Sequence, residues 1–162
     1  MLGDDLCAVS WRARPGTFVG LMTLYESNYI RLGWLVGDLC ALDGEHRSRV
    51  DGDVELKLTV LERGPYTTTL ALTYVFGGDA GAGSRTVDDP DLEIRVYHDA
   101  RLAEARTDAA RPAHPGLRRL RERAAREAED SALGHRWARN MMLNKWLEYC
   151  ADRGHRFGAT RA

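Results

Sequence analysis

Over residues 17–36, TFVGLMTLYESNYIRLGWLV, apolar side chains recur at spacings of three and four, which predicts a helix. Phe18, Leu21, Met22, Tyr25, Tyr29, Leu32 and Val36 form its expected stripe, with Thr17 as N-cap and Gly37 as the stop. Glu26 falls beside the stripe and Asn28 on its border. The period then changes from helical to alternating. A short edge strand is predicted at Arg47–Val50, turning at Asp51-Gly52, a dipeptide suited to the mirror-image hairpin turn. In VELKLTVLE, Val54, Leu56, Leu58 and Val60 share one face and Glu55, Lys57 and Thr59 the other. YTTTLALTYVF, residues 66–76, places Leu70, Leu72, Tyr74 and Phe76 together. DLEIRVYHDA alternates Leu92, Ile94 and Val96 against Glu93, Arg95 and Tyr97, and ends at His98 and Asp99.

Between these strands, residues 77–90 read as a glycine-rich connection. Gly78 and Gly83 have the spacing of the outer glycines of a phosphate loop, but no lysine and no following helix support that chemistry. Residues 105–116 lack periodicity and contain Pro112 and Pro115. LRRLRERAAREAED, from Leu117, is a thin apolar stripe on a charged helix. A last helix is predicted from Leu133 to Gly154, with Leu133, Trp137, Leu143, Trp146, Leu147 and Cys150 on one broad side. Asn140 lies inside that side, so its amide must find a partner there, loop backbone or a strand-end polar group.

The expected fold is α+β: an antiparallel sheet of three long strands plus a short edge strand, covered on one face by the N-terminal and C-terminal helices. Residues 1–16 read as an arm, 17–154 as one domain and 155–162 as a tail. The 162 residues suit that size, and 23 basic against 24 acidic side chains leave a net charge of -1. Such a balance gives no field to gather nucleic acid or an anionic membrane, and the carboxylates interleaved along the charged helix argue the same way. The strong preference for Arg, with only Lys57 and Lys145 as lysines, reads as genome composition. Cys7, Cys40 and Cys150 form no CxxC, which fits a reducing compartment. Cys40 and Cys150 lie in apolar contexts that predict buried thiols. No apolar run spans a membrane and no signal peptide is readable, so a cytoplasmic location is expected.

Candidate chemistry gathers at the end of the third long strand. His98 is expected at the core rim, where a satisfied structural histidine, a ligand-contacting or acid-base histidine and a metal ligand are the readings to weigh. No HExxH, HxH or cysteine spacing surrounds it, so no metal and no cofactor are expected. Arg95 beside Tyr97 suits a carboxylate or phosphate, and equally a cross-strand pairing with Glu93 or Glu55. Neither a GxSxG nucleophile nor a Cys-His pair is readable.

Taken together, YTT at Tyr66–Thr68, R-x-YHDA at Arg95 and Tyr97–Ala100, the helix core of Glu26, Asn28 and Tyr29, and N-x-M-L-x-x-WL-x-x-C from Asn140 to Cys150 resemble the DUF1249 family of small bacterial proteins, which includes YqiB-like proteins. The resemblance covers about residues 18–154. It departs where family members carry D-E-K-x-Q-x-N: Gly134 and His135 replace the acidic pair and Ala138 the Gln, with Asn140 kept. It implies no established activity. The leading expectation is an accessory protein binding a protein or small anionic ligand through Arg95, Tyr97, His98 and Asp99, with Glu26, Asn28 and Asn140 at its margin. The alternative is a small hydrolase in which His98 is general base and Asp99, Glu26 or Asn140 orients it. Both readings require His98 and Asn140 to lie in one neighbourhood. Oligomeric state is open.

Overall fold

A computed structural model describes residues 17–75, 92–108, 115–127 and 132–157. Helix α1 runs Phe18–Val36, followed by strands β1 (Glu45–Ser48), β2 (Glu55–Arg63), β3 (Thr67–Val75), β4 (Leu92–Tyr97) and β5 (Leu102–Asp108), then α2 (Pro115–Glu127) and α3 (Ala132–Arg153). The five strands form one antiparallel sheet in sequence order, β1-β2-β3-β4-β5, and three helices pack on one of its faces. The α+β class is therefore as expected, with one strand more. The arm at 1–16 and the connection at 77–90 lie outside the described residues.

The core follows the alternation. Leu56, Leu58, Leu70, Leu72, Leu92, Ile94 and Val96 are fully enclosed beneath Leu32, Leu143, Trp146 and Leu147. Each such leucine is worth about 1.5–3 kcal/mol of burial, which outweighs the poor helix propensity of Gly20 and Gly33 in α1. Thr17 caps α1 as predicted, its hydroxyl accepting from the Gly20 amide at 3.0 Å. The buried stripe, however, is rotated from the predicted one. It runs Leu21, Leu24, Tyr25, Asn28, Arg31, Leu32, Leu35 and Val36, while Phe18 is exposed. Two polar residues in the middle of the true stripe disguised it.

Three other boundaries differ from expectation. Strand β1 begins at Glu45 rather than Arg47. The Asp51-Gly52 turn forms with positive φ only at Gly52, 81°, so it is not the mirror-image type, which needs both central residues there. Strand β5 extends over residues 105–108, expected to be irregular: its inward positions are Ala103 and Ala105, buried but too small to register as an apolar alternation.

The tail is also partly core. After Gly154, at φ 91°, the chain reverses, with the His155 amide bonded to the Cys150 carbonyl at 3.0 Å. The Phe157 amide then donates to Leu35 O at 2.7 Å, and its ring is buried. The folded body thus extends to Phe157, and 158–162 lie outside the described residues.

Candidate functional site

Strand β5 is a sheet edge, and an edge presents unpaired N–H and C=O groups. The helices supply their partners. The Asn140 side chain accepts from the Ala105 amide at 2.7 Å and donates to Arg136 O at 2.9 Å. Asn28 donates to Ala103 O and to the Asn140 side-chain oxygen, both at 3.3 Å. Asn144 donates to Asn28 at 3.1 Å and to the Ser27 hydroxyl at 2.8 Å. All three asparagines have 0% exposure. The amide expected at Asn140 to need strand polar groups has found them, on the strand edge rather than its end, and Asn28 is at the centre of the buried stripe instead of its border. Glu26, one residue before Ser27, is exposed and outside this chain.

On the face away from the helices, Arg95 stands opposite Glu104 and Tyr97 opposite Leu102. The Tyr97 hydroxyl donates to the Glu104 carboxylate at 2.6 Å. Burial first, then that hydrogen bond, pushes the Tyr97 hydroxyl pKa up. The Tyr25 phenol on α1 is raised to about 12, by burial first and then by the Glu104 charge. Glu104 therefore stands across the strand pair from Arg95, with its carboxylate already engaged by the Tyr97 hydroxyl. Glu55, the other cross-strand candidate for Arg95, pairs instead with Arg47 at 3.6 Å and Arg49 at 3.1 Å.

His98 lies just beyond β4, in the turn to β5 that Arg101 completes with φ 56°. Its amide donates to Tyr66 O at 2.9 Å, continuing the β3–β4 ladder by one step. The ring is held at both nitrogens. Nε2 is 2.7 Å from the hydroxyl of Thr68, which is buried, and Nδ1 is 3.5 Å from the thiol of Cys40. Cys40 sits in the turn after α1, where its amide and that of Ala41 donate to the Asp38 carboxylate at 3.0 and 3.2 Å. The Arg63 guanidinium donates to the Cys40 carbonyl. Two expectations are corrected here: Cys40 is exposed rather than buried, and a Cys-His pair exists, between residues 58 apart in sequence. Loop closure brings it about, which no local spacing signals. Asp99 is exposed and does not contact the ring; Thr68 takes the orienting position. No hydrogen bond joins His98 to Asn140: the asparagine's partners lie on β5, on α1 and one turn back on α3, the histidine's are Thr68 and Cys40, so the two belong to separate groups and the shared neighbourhood expected of them is not formed by hydrogen bonds.

A second polar cluster escaped the sequence reading altogether. His155 Nε2 is 2.9 Å from the Asp53 carboxylate and Nδ1 is 3.0 Å from the Ser48 hydroxyl, with His155 1% exposed. Ser48 also accepts from the Arg156 amide at 3.0 Å. This is a closed knot pinning the reversed tail to the β1–β2 turn. Its serine has no open side for a substrate. Between α2 and α3 lies a cavity of about 450 Å³, lined by Tyr74, Leu117, Leu120, Trp146 and Tyr149 with Lys145 among its polar residues. Among the described residues no group of three or more His, Cys, Asp or Glu is placed to hold a metal ion, and no helix is long and apolar enough to cross a membrane.

Comparison with known proteins adds one finding. A family model described as a protein of unknown function, DUF1249, matches residues 31–156. No curated protein and no solved structure matches the chain.

Proposed function

From the premise that the chain belongs to the DUF1249 family, we propose that it is a cytoplasmic binding protein that takes a small anionic ligand at the sheet end where His98 meets Cys40. The observation that carries this reading is the clamped imidazole. Thr68 fixes the ring from the buried side at 2.7 Å, so its orientation is set before any ligand arrives and little ordering entropy remains to be lost. Near it in the fold are Arg63, whose guanidinium donates to the Cys40 carbonyl, the exposed Arg101 of the same turn, and Tyr66, whose carbonyl accepts from the His98 amide. Tyr97, bonded to Glu104, and Arg95 beside it support this surface from behind rather than contacting the ligand. The exposed Cys40 thiol, free of any disulfide, suits a reducing compartment.

The test is a titration of inorganic phosphate against the ring nitrogens of His98, followed by nitrogen-15 NMR. A saturable shift that disappears in Arg63→Gln is expected. A flat response from His98 in the folded wild-type protein overturns the reading.

One observation favours a second reading, in which His98 is a general base: its Nδ1 faces a thiol rather than solvent.

A further inference from the structure

We propose that Cys40 is a nucleophile toward activated acyl carbons, with His98 as its general base and Thr68 as the residue that positions the base. The inference rests on the general-base reading of His98 and adds to it the atom that is deprotonated and the class of substrate. Three features of the geometry carry it. The first is the tautomer. Nε2 lies 2.7 Å from the Thr68 hydroxyl and Nδ1 3.5 Å from the Cys40 sulfur; we assign the ring proton to Nε2, so that the Nδ1 lone pair faces the thiol. The second is access: Cys40 is exposed, whereas Thr68 is buried, so an electrophile approaches the sulfur from solvent while the base is held from within. The third is charge. Arg63 donates to the Cys40 carbonyl and so keeps a guanidinium beside the residue at which an oxyanion would develop. A nucleophile, a base in hydrogen-bond reach and a third group orienting the base are the parts that acyl acceptance requires.

The step balances without an outside oxidant or reductant. His98 Nδ1 takes the proton from the Cys40 thiol as sulfur attacks the acyl carbon. The bond from that carbon to the donor's leaving group breaks, and the leaving group departs with the proton returned by the imidazolium. The product is a thioester on Cys40. Cys150 does not compete: it is buried, and burial pushes its thiol up to about 12.

The experiment uses the full chain with para-nitrophenyl acetate as acyl donor and iodoacetamide as a neutral alkylating probe, with the modified cysteine assigned by peptide mapping. A nitrophenolate burst stoichiometric with protein is expected, with acetyl on Cys40, and it should be lost in Cys40→Ser. In His98→Ala the rate of Cys40 modification at neutral pH should fall about tenfold or more. Thr68→Val should lower the neutral-pH rate of Cys40 modification and Thr68→Ser should restore it, which a merely structural hydroxyl would not do. His98→Asn, checked by circular dichroism, serves if the alanine variant misfolds. Alkylation that depends on His98 with no nitrophenolate burst overturns acyl acceptance and leaves the general-base reading standing. Equal alkylation rates with and without His98 overturn both.

Discussion

Asn140→Ala is the sharpest test of how the helices are joined to the sheet. The substitution removes the acceptor of the Ala105 amide at 2.7 Å, and Ala105 is 1% exposed, so water cannot replace it. An orphaned buried N–H costs about 2 kcal/mol. Asn28 keeps Ala103 O but loses its bond to Asn140, and the fully buried amide leaves a small void, together about 1 kcal/mol more. The expected loss is about 3 kcal/mol, a large part of the total stability of a domain this size. Urea unfolding with an unchanged slope should read it as a lower midpoint. Native-state hydrogen exchange supplies a local check, since the Ala105 amide should lose protection relative to its neighbours. Asn140→Asp should be at least as costly, because it sets a carboxylate against the carbonyls of Arg136 and Ala105. A loss under about 1 kcal/mol with Ala105 exchange unchanged would mean that the edge of β5 is not held by this side chain.

Three further outcomes follow from the same geometry. His155→Ala leaves the enclosed Asp53 carboxylate and Ser48 without the ring between them, and should cost about 3 kcal/mol in urea unfolding; a change below about 1 kcal/mol would refute the knot. The Tyr25 hydroxyl is raised from 10.0 to about 12, so between those values the unfolded chain ionises while the folded one does not. Stability from this group is intact below pH 10, is lost as pH rises toward 12 and falls there by about 1.4 kcal/mol per pH unit at most; Tyr25→Phe should flatten that part of a pH series of unfolding midpoints. Glu26→Ala, at an exposed position outside the asparagine chain, should change stability by less than about 0.5 kcal/mol in the same assay, and a larger loss would place it in the seam.

Much of the scaffold was legible because its signals are local. Alternation in LTVLE, TLALTY and LEIRV marks three strands whose inward leucines have a single role, and Thr17 and Gly37 punctuate α1 by their own chemistry. What failed to show was set by distant partners. Strand β5 buries two alanines, and alanine carries almost no apolar contrast with its neighbours; only the approach of α1 and α3 makes the small side chain the right one. The same approach explains the misplaced stripe of α1. Asn28 counts against a helix core until the strand edge it completes is known.

The two histidines show where reading a site from sequence stops. His98 drew attention by standing at the end of an alternating run, and the structure places it half-buried and hydrogen-bonded at the start of a turn. Its partner sulfur, 58 residues earlier, lies in a turn with no pattern of its own, and an apolar neighbourhood in sequence argued for burial. Leu39 and Leu42 do turn inward, and by doing so they leave Cys40 and Ala41 facing solvent. The apolar residues that hid the thiol in the sequence are thus the ones that expose it. His155 offered no signal because its partners, Ser48 and Asp53, become neighbours only once the last helix has closed on the sheet. One ring is enclosed on both sides and the other has an open thiol at its outer nitrogen. That difference in access, rather than the residue types, separates the histidine that locks the fold from the one proposed to act.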